Sequence, residues 1–176
     1  MANTGANIDQ AAWLRAILTA PVYDVARRTP LDAAPRLSAS VGAQVLMKRE
    51  DLQPVFSFKL RGAYARLAQL SAVERARGVL AVSAGNHAQG VALGAQRLGI
   101  EACIVMPATT PRIKLVAVQA LGARIVLHGD SYDEAAAHGR ALCEREGRIL
   151  IHPYDDDAVI AGQGTVAMEL LAQHAG

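Results

Sequence analysis

The sequence is poor in several residue classes that whole groups of folds require. Two cysteines make no disulfide framework, and Cys103 in an apolar run and Cys143 in a helical pattern read as reduced core thiols. No apolar run reaches the roughly 18 to 20 residues of a membrane span, and aromatic residues are only 4%. The opening MANTGANIDQ has neither the basic start nor the apolar stretch of a secretory leader, so a cytoplasmic protein is expected. Lysine is scarce, with only Lys48, Lys59 and Lys114 against 15 arginines. The formal charge of +2 is scattered, which leaves no nucleic-acid stripe and no polybasic membrane patch. None of the five histidines has a second ligand type at metal spacing, so no metal site is expected. What the chain does have is 52% hydrophobic residues, enough to bury a core and too many for a disordered tail.

Residues 1–10 are small and polar and are expected to fray, whereas Trp13, Leu14, Ile17 and Leu18 mark a first helix. Pro35–Val41 reads as a short helix and Val45–Arg49 as a strand. Beyond Arg61 a period appears, with β-branched runs at Val79–Ser83, Ala102–Met106, Arg124–His128 and Arg148–His152, about 23 residues apart. Helical patterns fill the gaps: Ala88, Val91, Ala92, Ala95 and Leu98 share one face, and Ile113, Val116, Ala120 and Leu121 another. Ser131 and Glu134 form a capping-box pair, and Gly147 ends the helix they start. A last helix follows Asp156 or Asp157, with Val159, Ile160, Gln163, Val166, Ala167, Leu170 and Leu171 expected inward. Strand–helix–strand units of this length close as right-handed crossovers, so the expected class is α/β, a parallel sheet with helices on both faces. Strand order does not follow from the pattern. The expected division is 60–152 as a small α/β domain, with 1–59 and 153–176 belonging to a larger domain left incomplete.

Two segments carry chemistry. In Ser57-Phe58-Lys59-Leu60-Arg61-Gly62-Ala63 a lysine sits in a partly apolar setting where a helix begins. Such a setting disfavours the ammonium form, which condensation of the amine with an aldehyde requires; an ordinary surface lysine in a first helical turn would look the same. Ser83-Ala84-Gly85-Asn86-His87-Ala88-Gln89-Gly90 leaves a buried strand and opens a helix. A helix N-terminus there presents unpaired N–H groups to an anion, Gly85 allows close backbone approach, and Ser83 and Asn86 offer hydrogen bonds. The plainer alternative is a strand-to-helix turn with Asn86 as N-cap and His87 as a capping or packing residue. Gly162-Gln163-Gly164-Thr165 lies inside a helical pattern without the Lys-Ser/Thr of a P-loop, so its glycines read as sites of close helix packing.

The run Lys48–Ala63, the loop Ser83–Gly90 and Ala161-Gly162-Gln163-Gly164-Thr165, in this order and spacing, resemble the threonine dehydratases (threonine ammonia-lyases) over nearly the whole chain. That group belongs to the fold-type II pyridoxal-phosphate enzymes, which share a tryptophan synthase β-like fold. The Gln53-Pro54-Val55-Phe56-Ser57-Phe58-Lys59 form is closer to the biosynthetic branch, which serves isoleucine formation, than to the catabolic one. The resemblance implies that Lys59 carries pyridoxal 5'-phosphate as a Schiff base, that Phe58 packs on the ring face and that Asn86 meets the ring 3′-oxygen. It implies that Ser83, Gly85, Asn86 and His87 hold the substrate carboxylate. It further implies that the freed Lys59 takes the Cα proton of L-threonine, or of L-serine, with 2-oxobutanoate and ammonia as the products from threonine. A homo-oligomer is expected of the full-length protein, with no nucleic-acid or membrane partner.

Members of that group cradle the cofactor phosphate in adjacent glycines beyond the position of residue 176; here no two of the 15 glycines are adjacent. The expectation is therefore an N-terminal fragment, weakly active or inactive alone. Serine racemase and serine/threonine dehydratase share both signature segments and are the nearest rivals. A non-catalytic nucleotide-binding or interaction domain, or a folded remnant without ligand, are the rivals from other classes.

Overall fold

The computed structural model describes residues 9–174. Helix α1 (Gln10–Leu18), strand β1 (Leu31–Ala33), helix α2 (Pro35–Val41) and strand β2 (Leu46–Lys48) come first, β1 and β2 pairing antiparallel. Of the segment expected to fray, residues 1–8 lie outside the described residues. Asp9 does not fray: its carboxylate accepts from the N–H groups of Ala11 and Ala12 and caps α1.

Helices α3 (Lys59–Ala68) and α4 (Ala72–Arg77) lead into the sheet unit. It runs β3 (Val79–Val82), α5 (Asn86–Leu98), β4 (Ala102–Met106), α6 (Arg112–Gln119), β5 (Arg124–Leu127), α7 (Tyr132–Glu146) and β6 (Ile149–Leu150), with helix α8 (Asp157–Gln173) after it. The four strands are parallel in the order β5-β4-β3-β6. Period-two alternation sorts their side chains. Val79, Ala81, Ala102, Ile104 and Met106 pack with Ala88, Val91, Ala92 and Ala95 of α5, while Leu80, Val82, Cys103 and Val105 pack with Ala135, Ala136, Leu142 and Cys143 of α7. Helices thus cover both faces, which is why β3 and β4 are apolar without interruption. Burial raises both thiols above their ordinary pKa, and neither is in a disulfide. The capping box of Ser131 and Glu134 and the left-handed Gly147 bound α7 as expected.

Two expected helix faces differ. Ile113 and Val116 of α6 are exposed, and the helix buries Val118 with Leu115 and Leu121 half-buried. The segment carries two apolar stripes and only one can meet the sheet. On α8, Ile160, Ala167 and Leu171 are exposed, and the buried stripe is Val159, Ala161, Gly162, Thr165 and Glu169. Its polar members answer a charge on α3. Arg61 is fully buried and donates to Glu50 at 2.8 and 2.9 Å, to Glu169 at 2.8 Å and to Thr165 at 3.2 Å. Lys48 donates to the other Glu169 oxygen at 2.5 Å. Two cations and two carboxylates therefore balance. Contact is close because Gly62 and Gly162 face each other: a Cβ on Gly162 would lie 2.7 Å from the Arg61 carbonyl oxygen. Asp156 caps α8 as expected and also pairs with Arg66 at 3.0 Å.

Burial opposes the Glu169 charge, but hydrogen bonds from Arg61, Lys48 and Tyr23 outweigh it and hold its pKa below 4.5. A depressed carboxylate pKa gives stability that is complete above the unfolded value and lost as pH falls through the folded one. Acid titration of unfolding free energy should show this loss below pH 4.5, the ordinary value. Glu169→Gln should flatten that limb while costing about 3–5 kcal/mol at pH 7, the usual cost of breaking a buried pair.

Candidate active site

In an open parallel sheet, ligands bind beyond the carboxyl ends of the strands where the strand order reverses. Here the chain steps from β3 outward to β4 and β5, then returns to place β6 on the other side of β3. The switch point is between β3 and β6. The loop from β3 into α5 and the segment after β6 both emerge there, and Lys59 reaches it from α3.

Lys59 is the first residue of α3, and its backbone N–H donates to the buried Ser57 hydroxyl at 3.2 Å. Its Nζ donates to the carbonyl of Pro153 at 2.9 Å and lies 5.4 Å from the centroid of the Phe58 ring, which is 41% exposed. Helix α5 approaches closely because residue 90 is glycine: a Cβ there would stand 3.0 Å from the Leu60 nitrogen and 3.1 Å from the Lys59 carbonyl carbon.

In the second segment Gly85, not Asn86, is the N-cap of α5; Asn86 is already helical. The Ser83 hydroxyl accepts from the Gly85 N–H at 3.2 Å within the turn that precedes the helix. The Asn86 side chain is exposed and makes no hydrogen bond among the described residues, so its amide is free for a ligand. The N–H groups of Asn86, His87 and Ala88 open the helix without intrahelical acceptors. His87 is 4% exposed and its Nε2 lies 3.0 Å from the Ile151 carbonyl. Burial pushes its pKa down to about 4, against the Ile151 hydrogen bond and with Lys59 and His152 nearby. The imidazole is neutral at pH 7.

Lys59, Phe58, Ser83, Gly85, Asn86 and His87 thus lie on the two segments that converge at the switch point. Sequence reasoning missed Ile151 and Pro153, whose contribution is backbone carbonyls; the available signal was their place just after the last strand. Phe56 was also missed. It is 77% exposed and holds φ +56°, a left-handed conformation that bulky residues avoid. A concavity of about 430 Å³ lined by Trp13, Thr19, Gln69 and Asp157 lies between α1, α3 and α8, away from Lys59; one of about 190 Å³ adjoins Pro153.

The class the geometry defines is a doubly wound α/β protein with a lysine amine and a helix N-terminus at its switch point. The model of the family described as pyridoxal-phosphate dependent enzyme matches residues 22–176, and the chain belongs to that family. Threonine dehydratase 1 biosynthetic, chloroplastic, of Solanum lycopersicum is 58% identical over 161 residues, 92% of this chain and 27% of that protein. The processed form of threonine deaminase isoform 2 from the same organism superposes with a TM-score of 0.91 at 51% identity, covering 98% of this chain and 48% of that one. Maize serine racemase superposes with a TM-score of 0.87 at 34% identity, covering 93% and 50%. The chain therefore spans about a quarter of the first relative and half of the solved chains.

Gly90→Ala should cost about 1–3 kcal/mol by overpacking against the backbone of Lys59 and Leu60, read as a lowered melting temperature. Phe56→Gly should act in the opposite sense. It removes about 1–2 kcal/mol of left-handed strain against about 0.5–1 kcal/mol of glycine chain entropy, so the melting temperature should rise slightly.

Proposed function

We propose that this chain supplies the lysine-bearing part of a biosynthetic L-threonine dehydratase, which converts L-threonine to 2-oxobutanoate and ammonia. The observation that carries the reading is the Lys59 amine at the switch point, on a helix packed against a second helix whose first N–H groups are free. The residues fit pyridoxal 5'-phosphate at its reacting end: a primary amine for the aldehyde, the Phe58 ring for a planar face, and the free Asn86 amide for the ring oxygen. When bound, the cofactor supplies an aldehyde that condenses with amines and a ring that withdraws electrons from the substrate Cα.

The chain's own residues do the rest. Ser83 and the N–H groups of Asn86 and His87 receive the substrate carboxylate, with Gly85 leaving room for it to approach, and a helix N-terminus stabilises the anion. That grip turns the Cα–H bond towards Lys59, whose amine accepts the proton and holds it at Nζ. Phe58 covers one face and keeps water from it. The division into 1–59, 60–152 and 153–176 is part of the proposal, supported by a sheet that lies wholly between residues 79 and 151. So is self-association, supported by exposed Leu14, Leu18 and Leu171. A cytoplasmic location is proposed on the two unpaired thiols, which suit a reducing compartment. Weak activity of the chain alone follows from its lack of adjacent glycines for the phosphate.

The threonine reading is favoured over a serine racemase by the likeness at 51% against 34%. The test uses the chain completed by the C-terminal part of a threonine dehydratase and loaded with cofactor. Borohydride should fix a pyridoxyl group on Lys59, and Lys59→Ala should lose both the visible absorbance and the release of 2-oxobutanoate. Fixation on Lys48 or Lys114, or an active Lys59→Ala variant, refutes the assignment; D-serine formation in place of 2-oxobutanoate would favour the racemase.

A further inference from the structure

We propose that His87 is a positioning residue for Lys59, acting through the segment Ile151–Pro153. The proposal deepens the reading of Lys59 as the reactive amine and rests on it. A backbone carbonyl can only accept, so the 3.0 Å contact to Ile151 requires the proton on Nε2 of the imidazole. The carbonyl it holds ends the β6 ladder, where the Ile151 N–H donates to Leu80 at 2.8 Å. Two residues later the Pro153 carbonyl receives the Lys59 amine at 2.9 Å.

The linkage has a direction. Pro153 has no N–H with which to anchor itself, and the strand ends at Leu150. The turn is closed on itself by the Asp155 N–H donating to His152 Nδ1 at 2.7 Å, and among the described residues the side-chain bond from His87 ties it to α5, the helix whose N-terminus faces the same site. Across the described residues the Nδ1 atom is buried with no partner. A buried acceptor left unmade is a cost, so the hydrogen bond that offsets it is the one its other nitrogen makes to Ile151. Its neutrality fits the same role, since a fixed donor needs no proton exchange.

The chain has only three lysines, and they form an internal scale. Lys114 is exposed and reports the reagent; Lys48, with a side chain 9% exposed in its pair with Glu169, reports global opening. Trace acetylation of the 176-residue chain, read by peptide mass spectrometry, should give His87→Phe a several-fold rise in Lys59 labelling relative to Lys114. Lys48 should stay protected. His87→Gln, which returns an amide donor near the Nε2 position, should restore the native ratio. An unchanged Lys59 ratio in His87→Phe, or a rise shared by Lys48, overturns the proposal. Should His87→Phe not fold, nitrogen-15 shifts of the native imidazole decide: a proton on Nε2 upholds the linkage and a proton on Nδ1 overturns it. None of these readouts needs cofactor, so the positioning role can fail while borohydride still fixes the cofactor on Lys59, and the reverse.

Discussion

The buried guanidinium of Arg61 is the constraint on which the rest of the structure depends. A full charge with no solvent exposure is tolerated only when its hydrogen bonds are met and its charge balanced. Its partners come from far apart in the chain: Glu50 ahead of α3 and Glu169 near the end of α8. Burial opposes the charge, and the two carboxylates more than restore it, raising the guanidinium pKa above its ordinary value. A buried ion pair adds little net stability compared with apolar packing, but it punishes misplacement severely. The network therefore fixes register. It sets where α3 begins, and so where Lys59, two residues earlier, leaves the backbone.

Topology then decides what Lys59 meets. The reversal of strand order between β3 and β6 opens a crevice at their carboxyl ends, and α5 starts in it. Gly90 lets α5 lie against the backbone of Lys59, so amine and helix N-terminus are neighbours by packing and not by sequence. One element offers a nucleophile and the other a row of N–H donors. Under the proposed function, a substrate with an amine and a carboxylate on adjacent carbons is matched to that pair.

The parts of this arrangement that are local were legible in the sequence. The β-branched runs gave all four strands of the parallel sheet, the Ser131–Glu134 pair gave the start of α7, and the Lys59 and Ser83–Gly90 segments are the two that converge at the candidate site. What escaped was set by distant partners. The inward stripe of α8 was misread because its deepest members are Thr165 and Glu169, polar residues whose burial makes sense only opposite Arg61, 108 positions away from Glu169. The inward face of α6 was ambiguous because Ile113 and Val116 compete with Leu115 and Val118, and the sheet, not the helix, chooses. The roles of Ile151 and Pro153 are carried by carbonyl oxygens, which every residue has, so no side-chain pattern could announce them.

His87 is buried, as the packing reading of the sequence has it, and its ring makes one specific bond besides. A histidine beside a lysine in a crevice invites an acid–base role. Yet burial, the positive Lys59 and the nearby His152 all disfavour its charged form, and the one bond that favours it, to Ile151, does not prevail. An imidazole titrating at about 4 has little capacity to donate a proton to a leaving group near neutrality. Its backbone N–H, at the start of α5, is free for a carboxylate, while its ring is spent on the turn that receives the Lys59 amine. In the proposed reaction, proton transfer at Cα is thereby left to the lysine, and the geometry of that transfer to the histidine.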